Sequence, residues 1–467
     1  MAQPFDWSAT LLTSLSDAIR QIYMPGFPEQ TWRFGRTFNR IFQPSARKIN
    51  GDGINIQVMD RLQYGAQFSR SINGAFPQPE SFSADYYKVT LSETDASNDF
   101  SSIKVSGRVT YLDLVRAKDD TAAAVQVAEK IYTQMRDDFQ ESLAIHRQIP
   151  QTAQVGTVST DTPKQNDASL YADCSATPAA STGVRFKLTN SAIAYFQPGR
   201  KLSVYSSTGT YRGDIVVTDY NPVDLSVGAY GLDANGNQDT TIALTSSKIT
   251  VSDKLYFRGE YNKGMKSVGE WFTDPSSGDS FFGKDRTSPL NRYLIPTKVK
   301  ISTARPFTKT DLDTLAVALG YVREAESAGV LVMQPNLEQA FRNEVGEDIV
   351  YNCPKEGPGG EMLAKYGFLG SVYVHPQLGV CRVMADPLAA YNTVRYLKLD
   401  SWETLYAIEN GLTFVPAGDG FGFWYRMSSG TPGDAKSLSY QCDALSLLCD
   451  ITDTPRLQGQ ISNVQGV

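Results

Sequence analysis

One long amphipathic helix constrains the fold of this chain more than any other segment. An apolar side chain recurs at every fourth position, in the stripe Val127, Ile131, Met135, Phe139 and Leu143. Because residues four apart lie on one helical face, this spacing predicts a helix from about Thr121 to Gln148. Pro150 ends it, since proline cannot continue a helix. At 1.5 Å per residue the helix would be roughly 40 Å long, a length that suits a flat, extended domain.

The first 50 residues predict an N-terminal arm. Residues 9 to 22 carry leucine and isoleucine at three- and four-residue intervals, which indicates a short helix docked on its own core or on a neighbouring subunit. Residues 31 to 50 contain no acidic residue, and their basic residues are Arg33, Arg36, Arg40, Arg47 and Lys48. The aromatic residues interleaved with them are Trp32, Phe34, Phe38 and Phe42. This pattern indicates contact with a partner, contact with nucleic acid, or solvent exposure alone.

Residues 51 to 117 predict a long two-stranded ribbon. Apolar and polar residues alternate from Gly53 to Val58, as in a half-buried strand, and a second strand-like run extends from Lys104 to Leu112. Glycine and proline punctuate the sequence between the two runs, which predicts a loose tip. Such a ribbon is not stable alone in water, so we expect it to lie on another surface.

A small β-module is predicted within residues 151–260. Residues 151 to 182 are rich in serine, threonine, glutamine, aspartate and alanine, which indicates a mobile connection. Residues 183 to 258 contain about five short strands separated by turn signals, as at Ser206–Gly209. This pattern indicates a small barrel or sandwich inserted into the chain.

The last third of the chain mixes helices and strands. A helix is predicted through Leu312, Leu315, Leu319 and Val322. A buried strand is predicted at Gly329–Met333 and is closed by Pro335. Further strands are predicted at Ser371–Val374, Val380–Met384 and Thr393–Leu399. The final apolar run, Ala444–Ile451, predicts a terminal strand.

No motif in the chain predicts catalysis or cofactor binding. The two histidines, His146 and His375, have no cysteine, histidine or carboxylate at the spacing of metal ligands. The five cysteines are widely spaced and form no Cys-x-x-Cys pair, which indicates reduced thiols. Gly418–Gly422 and Asp233–Asp239 resemble a phosphate loop and a calcium loop only superficially, and each is interpreted as a turn. We therefore expect no catalytic residue, no cofactor and no metal.

Charge and hydropathy restrict the partners of the chain. The formal net charge is -6, so the whole chain is not a polycation that coats nucleic acid, and contact with DNA must be local or weak. The segment Met1–Trp7 lacks a basic region followed by an apolar run, so we expect no signal peptide. No stretch of about 18 apolar residues occurs, so we expect no transmembrane helix. A soluble, intracellular product is expected.

The order of the predicted elements resembles that of the major capsid proteins of tailed bacteriophages, which have the Hong Kong 97-type fold. In both, a short arm, a strand ribbon, one long helix, a compact mixed domain and a closing strand follow one another. Several segments also look like capsid sequences: Gly269–Phe272, Gly283–Pro289, Val394–Asp400 with Glu403, and Tyr440–Pro455. The β-module goes beyond the minimal fold of the family, and the long charged scaffolding segment of some members is missing.

The resemblance implies an α+β fold divided into the parts that define the family. These parts are an N-terminal arm (1–50), an E-loop (51–117), the spine helix of the P-domain (118–150), a linker with an inserted small β-barrel-like module (151–260), a connection from P-domain to A-domain (261–299), an A-domain (300–436), and a C-terminal strand and tail (437–467).

The resemblance also implies a structural function. Copies of the chain would form hexamers and pentamers and close into the icosahedral capsid, or head, of a virion assembled in the bacterial host cytoplasm. The implied partners are a separate scaffolding protein, a portal, a cement protein and weakly held double-stranded DNA, with no membrane. The five basic residues of the arm are then candidates for contact with a neighbouring subunit or with DNA.

Three other classes of protein fit parts of the pattern. An encapsulin-like nanocompartment shell protein would share the fold and would load enzyme cargo. A phage tail or sheath protein would form tubes. An intracellular hydrolase with a β accessory domain would carry a cluster of carboxylates in a deep pocket.

Overall fold

The computed structural model of the chain shows a mixed α+β fold. The residues that it describes are 37–42, 44–49, 51–58, 86–92, 98–110, 121–160, 171–173, 183–189, 192–232, 249–276, 280–320, 329–345, 371–375, 378–408, 413–414, 424–426 and 439–465. The chain divides into two compact units. The first comprises Met1–Asp52, Leu91–Arg147 and Glu403–Asp450, and the second comprises Gly53–Thr90, Gln148–Trp402 and Ile451–Val467.

Helices and strands alternate irregularly along the described ranges. The α-helices there are α1 (Thr37–Ile41), α2 (Thr121–Gln148), α3 (Val268–Trp271), α4 (Lys309–Gly320) and α5 (Pro335–Val345). The strands there are β1 (Ser45–Lys48), β2 (Gly53–Gln57), β3 (Tyr86–Thr90), β4 (Ser101–Thr110), β5 (Gln154–Val158), β6 (Tyr171–Asp173), β7 (Gly183–Thr189), β8 (Lys201–Tyr205), β9 (Tyr211–Asn221), β10 (Ser226–Gly231), β11 (Lys254–Phe257), β12 (Thr297–Pro306), β13 (Gly329–Met333), β14 (Ser371–His375), β15 (Gly379–Ala385), β16 (Thr393–Leu397), β17 (Trp402–Tyr406), β18 (Thr413–Phe414), β19 (Trp424–Arg426), β20 (Ser439–Thr452) and β21 (Gly459–Gln465). None of these helices is both long and apolar enough to span a membrane.

The first unit is built from a sheet and the long helix α2. Strand β20 pairs antiparallel with β4, β18 and β19, and β17 joins β20 to the parallel strand β1. The predicted bounds of α2 are confirmed, and the four described residues of its stripe, Ile131, Met135, Phe139 and Leu143, are buried. Gly107 of β4 allows the close approach of α2, because a Cβ there would lie 2.5 Å from the Ile131 side chain.

The ribbon pairs differently from the sequence prediction. Strand β2 pairs antiparallel with β3 and not with β4, whereas β4 pairs along its whole length with β20. A strand near Lys104 is present, but its apolar residues Ile103 and Val105 are buried in the first unit. The partner of a strand with one apolar face is the strand beside which that face is buried, and this need not be the next strand along the chain.

Six strands of the second unit form a closed antiparallel ring. They pair in the order β10, β9, β8, β11, β5 and β7, and β7 pairs again with β10. The strands predicted near Val184, Leu202, Ile215 and Lys254 are present as β7, β8, β9 and β11, whereas β10 was not predicted. The strand predicted at Ile242–Leu244 lies outside the described residues. The prediction of a mobile connection over residues 151 to 182 is wrong for β5 and β6, which pair with β7. Strand β5 buries Val155 and Val158, so its polar neighbours in sequence did not prevent pairing.

A second sheet of the second unit has the order β12, β21, β16, β13, β15 and β14. One of its faces carries a hydrophobic core to which α4 contributes Leu312 and Leu315 and α5 contributes Phe341. Strand β13 is fully buried, as its unbroken apolar run predicted.

Most predicted elements of this sheet are confirmed. The helix α4 and the strands β13, β14, β15 and β16 lie where the sequence placed them. Three elements were not predicted, namely β12, α5 and β21. Pro335 begins α5, as proline does in a first helical turn, and β21 pairs between β12 and β16. The helix predicted at residues 9 to 22 and the turns predicted at Asp233–Asp239 and Gly418–Gly422 lie outside the described residues.

Candidate functional site

The ribbon β2–β3 has one inward face and one outward face. Its register pairs Ile56 with the buried Tyr87. The alternate residues on the opposite face are exposed: Asn55, Gln57, Tyr86 and Lys88. Tyr86 is 50% exposed although it is a large aromatic residue. Among the described strands, neither β2 nor β3 has a second neighbour, so both outer edges of the ribbon lack a strand partner there.

Tyr87 anchors the ribbon in an aromatic cluster. Its ring centroid lies 5.6 Å from that of Trp271, edge to face, and 5.0 Å from that of Phe282. The Tyr87 hydroxyl donates a hydrogen bond of 2.9 Å to the carbonyl oxygen of Thr452. Trp271 is fully buried and packs edge-on against Phe281 at 4.7 Å. This burial stabilises the base of the ribbon, which two strands do not achieve alone.

A buried ion pair fixes the loop that carries these rings. Arg286 Nη2 lies 3.4 Å from Glu270 Oε1, and Arg286 Nη1 donates to the Glu270 carbonyl oxygen at 3.3 Å. The guanidinium also lies over the Phe281 ring, 4.1 Å from its centroid. The other carboxylate oxygen, Oε2, accepts a hydrogen bond of 2.8 Å from the Gln151 N–H. Both oxygens of Glu270 are therefore paired, which a buried carboxylate requires.

Gly269 allows a close contact between two backbones in the same cluster. A Cβ at this position would lie 2.1 Å from the carbonyl oxygen of Ile149. Only glycine fits there, because any larger residue would push α3 away from the backbone at Ile149. The segments Gly269–Phe272 and Gly283–Pro289, which look like capsid sequences, thus contribute to one cluster that holds the ribbon.

The structure places only part of the predicted contact set of the arm. Arg33 and Arg36 lie outside the described residues, as does the side chain of Arg40, whose backbone belongs to α1. Arg47 and Lys48 are exposed on β1. The Arg47 Nη2 atom lies 2.8 Å from Oε2 of Glu403, the residue of β17 that pairs in register with Ser45. Contact of these basic residues with a neighbouring subunit or with DNA stays a prediction.

Two aromatic residues of the arm belong to the core of the first unit. Phe38 and Phe42 are buried and stack with ring centroids 5.1 Å apart. The interpretation of the arm as a basic-aromatic contact surface is therefore wrong for these two side chains. They are four residues apart, at the spacing that places two side chains on one helical face, and this spacing was the signal that separates them from a contact surface.

Arg147, near the end of α2, is fully buried, and no sequence pattern predicted its role. Its Nε donates to Asp450 Oδ2 at 3.0 Å, and its Nη2 lies 3.4 Å from Asp450 Oδ1. Its Nη1 donates to Asn39 Oδ1 at 3.1 Å, and Nη2 also donates to Thr404 Oγ1 at 3.2 Å. Arg147 thereby connects α1, α2, β17 and β20. No spacing rule distinguishes it in the sequence from a solvated arginine of the same helix.

Reactive side chains serve structural contacts in the described part of the chain. No group of three or more histidine, cysteine, aspartate and glutamate side chains there could hold a metal ion. His375 Nε2 lies 2.8 Å from Asp313 Oδ1, and Nδ1 accepts a hydrogen bond of 3.2 Å from the Leu378 N–H. Burial raises the pKa of the Cys381 and Cys442 thiols to about 12, which keeps them protonated.

Comparison with known proteins reveals a distant likeness to capsid structures. No family model matches the chain, and no curated protein matches it. The match to the capsid asymmetric unit of cyanophage A-1(L) covers 92% of this chain and 93% of that chain, at 9% identity and a TM-score of 0.46. The match to the procapsid of satellite phage P4, a structure that includes the size determination protein, covers 94% and 98%, at 9% identity and a TM-score of 0.35. The match to the capsid of an empty GTA particle covers 90% and 88%, at 7% identity and a TM-score of 0.35.

These similar structures are all capsids. A likeness at such identities and TM-scores transfers no function to this chain, so the proposed function is based on the residues of the chain itself.

Proposed function

We propose that the chain is a major capsid protein, copies of which self-assemble into the icosahedral shell around the genome of a tailed double-stranded DNA phage. The observation that carries the proposal is the ribbon β2–β3. Its inward face is held by Tyr87 in a buried cluster, whereas its outward face is exposed and its described edges lack strand partners. A ribbon of this kind gains stability when a neighbouring subunit covers it.

The order of the elements supports the same proposal. The arm strand β1, the ribbon, the 28-residue helix α2, the closed ring and the sheet around β13 follow one another along the chain. This is the order implied by the resemblance to capsid proteins. In the proposal, α2 is the spine helix of the P-domain, the sheet around β13 belongs to the A-domain, and the closed ring is an inserted β-barrel module.

Assembly would proceed through repeated contacts between unlike surfaces of identical subunits. Each subunit covers the ribbon of the next, and such head-to-tail contacts close into hexamers and pentamers and then into a shell. Tyrosine is favoured at the centre of protein interfaces, where its ring is shielded from water. Tyr86, which is half exposed on the outward face of the ribbon, is therefore the proposed anchor of this contact.

The charge of the chain indicates how strongly it would bind DNA. Because its net charge is -6, the chain would attract packaged DNA only weakly. The ion pair between Arg47 and Glu403 further reduces the positive charge that the arm offers to phosphates. In the proposal, assembly in the bacterial cytoplasm also involves a separate scaffolding protein, a portal and a cement protein.

Sedimentation velocity of a Tyr86→Ala variant tests the ribbon as the assembly contact. We expect the variant to fold but to sediment as free subunits under conditions in which the parent chain forms large assemblies. Tyr211→Ala is the matched control, because Tyr211 is similarly exposed, at 53%, on the closed ring. Normal assembly of Tyr86→Ala, or equal loss of assembly in both variants, would contradict the proposed contact.

A further inference from the structure

A cavity of about 550 Å³ lies in the second unit, against the sheet around β13. Strand β21 crosses its wall between β12 and β16. Gln460 of β21 pairs in register with Arg395 of β16 and with Lys298 of β12, and Ser462 pairs with Lys300. Because side chains two residues apart share one face of a strand, these side chains all project from the same face. Gln460, Arg395, Ser462 and Lys300 line the cavity.

Arg395 is a buried arginine that lacks a carboxylate partner among the described residues. It is only 7% exposed. Its Nη1 donates to the carbonyl oxygen of Gln148 at 3.2 Å and to the Oε1 of the same residue at 3.1 Å. Its Nε is buried and has no acceptor in the described structure. Burial lowers the pKa of the guanidinium to about 10, which reflects the cost of shielding a cation from water.

The other three buried arginines of the described residues, Arg147, Arg185 and Arg286, have carboxylate partners, and that of Arg185 is Asp219. Arg147 places Nε and Nη2 against the two oxygens of Asp450, and Arg286 pairs with Glu270. The buried Nε of Arg395 has no acceptor in the part of the chain that the structure describes, and the printed hydrogen bonds of this guanidinium all come from Nη1. Buried charges in proteins are normally paired, because an uncompensated one is costly. The guanidinium carbon lies over the Phe272 ring, 5.4 Å from its centroid, but the Nε–H has no acceptor among the described residues, and a carboxylate would supply one.

A second polar group of the cavity wall is also unsatisfied. Gln460 Oε1 is buried without a hydrogen-bond donor in the described structure, directly across the strand pair from Arg395. The charged lining residues are Arg395, Lys300 and Asp274. Asp274 Oδ1 is already paired with Lys298 Nζ at 2.7 Å. The lining thus has an excess of positive charge, which favours an anion, whereas the Gln460 oxygen can only accept a hydrogen bond from a donor.

We propose that this cavity binds a carboxylate, supplied either by a small organic acid or by an acidic side chain of another protein chain. A planar carboxylate matches the Nε–Nη2 edge of a guanidinium with two parallel hydrogen bonds. Lys300 supplies a second cation, and the amides of Asn392 and Asn463 line the rest of the cavity. The volume lies within the range of roughly 300–1,000 Å³ that is usual for sites of organic ligands, so it exceeds the needs of a bare ion.

Isothermal titration calorimetry of the full chain tests this proposal with three probes in a buffer free of other carboxylates. The probes are succinate, N-acetylglutamate methylamide as a mimic of an acidic side chain, and inorganic phosphate. We expect one saturable carboxylate site per chain. Tighter binding of the glutamate mimic identifies a protein side chain as the source, and tighter binding of succinate identifies a free acid. Binding of phosphate alone, or of no probe, overturns the proposal.

A single substitution links the binding to Arg395. Gln460→Glu places a carboxylate directly opposite Arg395, so it should abolish binding of the probes and raise the Tm. Gln465→Glu makes the same charge change at the exposed end of the same strand and should alter neither. Arg395→Gln should raise the Kd by about tenfold or more, the usual effect of losing a hydrogen bond to a charged group.

The Gln460→Glu variant keeps the test decisive even if Arg395→Gln does not fold. Unchanged carboxylate binding in Gln460→Glu, with a Tm equal to that of the parent chain, would place the binding elsewhere and overturn the proposal. Binding is measured per chain in any state of assembly, so its failure would leave the proposed shell function untouched.

Discussion

Arg147 and Asp450 form an ion pair that is fully shielded from solvent in the first unit. Two contacts join them, from Nε to Oδ2 at 3.0 Å and from Nη2 to Oδ1 at 3.4 Å. The Thr404 hydroxyl also donates to Asp450 Oδ1 at 2.5 Å, and the Phe42 ring centroid lies 5.0 Å from the guanidinium carbon. Both charged groups therefore have several partners, and the pair fixes α2 relative to β17 and β20.

Removal of one member of this pair should destabilise the chain strongly. Arg147→Met leaves the Asp450 carboxylate buried without its cation, so we expect the free energy of unfolding to fall by about 3–5 kcal/mol. Urea unfolding followed by circular dichroism measures this loss. The double variant Arg147→Met/Asp450→Leu should lose less than the sum of the single variants, because it leaves no uncompensated charge.

Arg136→Met is the matched control on the same helix. Arg136 Nη2 lies 3.3 Å from an oxygen of Asp137 at the surface, and an exposed pair of this kind contributes at most about 1 kcal/mol. Equal losses in Arg147→Met and Arg136→Met would show that burial of the Arg147 pair has no special role.

The neighbouring residues Tyr87 and Tyr86 should separate stability from assembly. Tyr87→Ala removes a buried ring, so we expect a loss of about 3–5 kcal/mol in the free energy of unfolding. Tyr87→Phe removes only the hydrogen bond to the Thr452 carbonyl and should cost about 1 kcal/mol. Tyr86→Ala should change the stability of the free subunit by less than about 0.5 kcal/mol. A large loss in Tyr86→Ala would reverse the assignment of the two ribbon faces.

Gly269 should tolerate no side chain. Gly269→Ala would place a Cβ 2.1 Å from the Ile149 carbonyl oxygen, so the backbone must shift, and we expect a loss of about 1–3 kcal/mol or more. Gly320→Ala is the control, because a Cβ there meets no atom of the described residues within 4 Å. Thermal unfolding of both variants should show a lower Tm for Gly269→Ala alone. A similar Tm for the two would contradict the close contact of α3.

The buried thiols should resist alkylation in the folded chain. Burial raises the pKa of Cys381 and of Cys442 to about 12, so neither forms the reactive thiolate at pH 8.5. Iodoacetamide should modify both residues only after unfolding, as measured by mass spectrometry of their peptides. Rapid modification of Cys381 under native conditions would contradict its burial.

The same thiols should make stability depend on pH in the alkaline range. The unfolded thiol loses its proton near its ordinary pKa of 9.0, whereas the folded thiol keeps it up to about pH 12. The folded state thus binds more protons between these values, and its stability falls as the pH rises through this window. The urea concentration at the unfolding midpoint should therefore be lower at pH 10 than at pH 8. In Cys381→Ala the difference between the two midpoints should be smaller.

Local patterns in the sequence were sufficient for many single elements. The bounds of α2 were predictable because its stripe has one unbroken spacing and Pro150 follows it. The pairing of β4 with β20 was not predictable, because these strands are more than three hundred residues apart and each has an alternating pattern that suits several partners. Strand β5 was missed because its polar surroundings resemble a linker in composition.

The residues that define the sites were harder to predict than the elements that carry them. Arg147 and Arg395 have no sequence feature that distinguishes them from exposed arginines, because their burial depends on strands that are distant in sequence. The aromatic cluster that anchors the ribbon was partly indicated by the sequence, since Gly269–Phe272 and Gly283–Pro289 look like capsid sequences. Their physical role became clear only when Trp271 and Phe282 were found packed against Tyr87.

Negative-stain electron microscopy of the chain expressed alone in bacteria tests the proposed shell function most directly. The proposal predicts curved shells, closed or incomplete, in which hexamers and pentamers of the chain are visible. Uniform closed shells would in addition show that no separate scaffolding protein is needed. Straight tubes, or dispersed single subunits at every protein concentration, would contradict the proposal that this chain is a capsid protein.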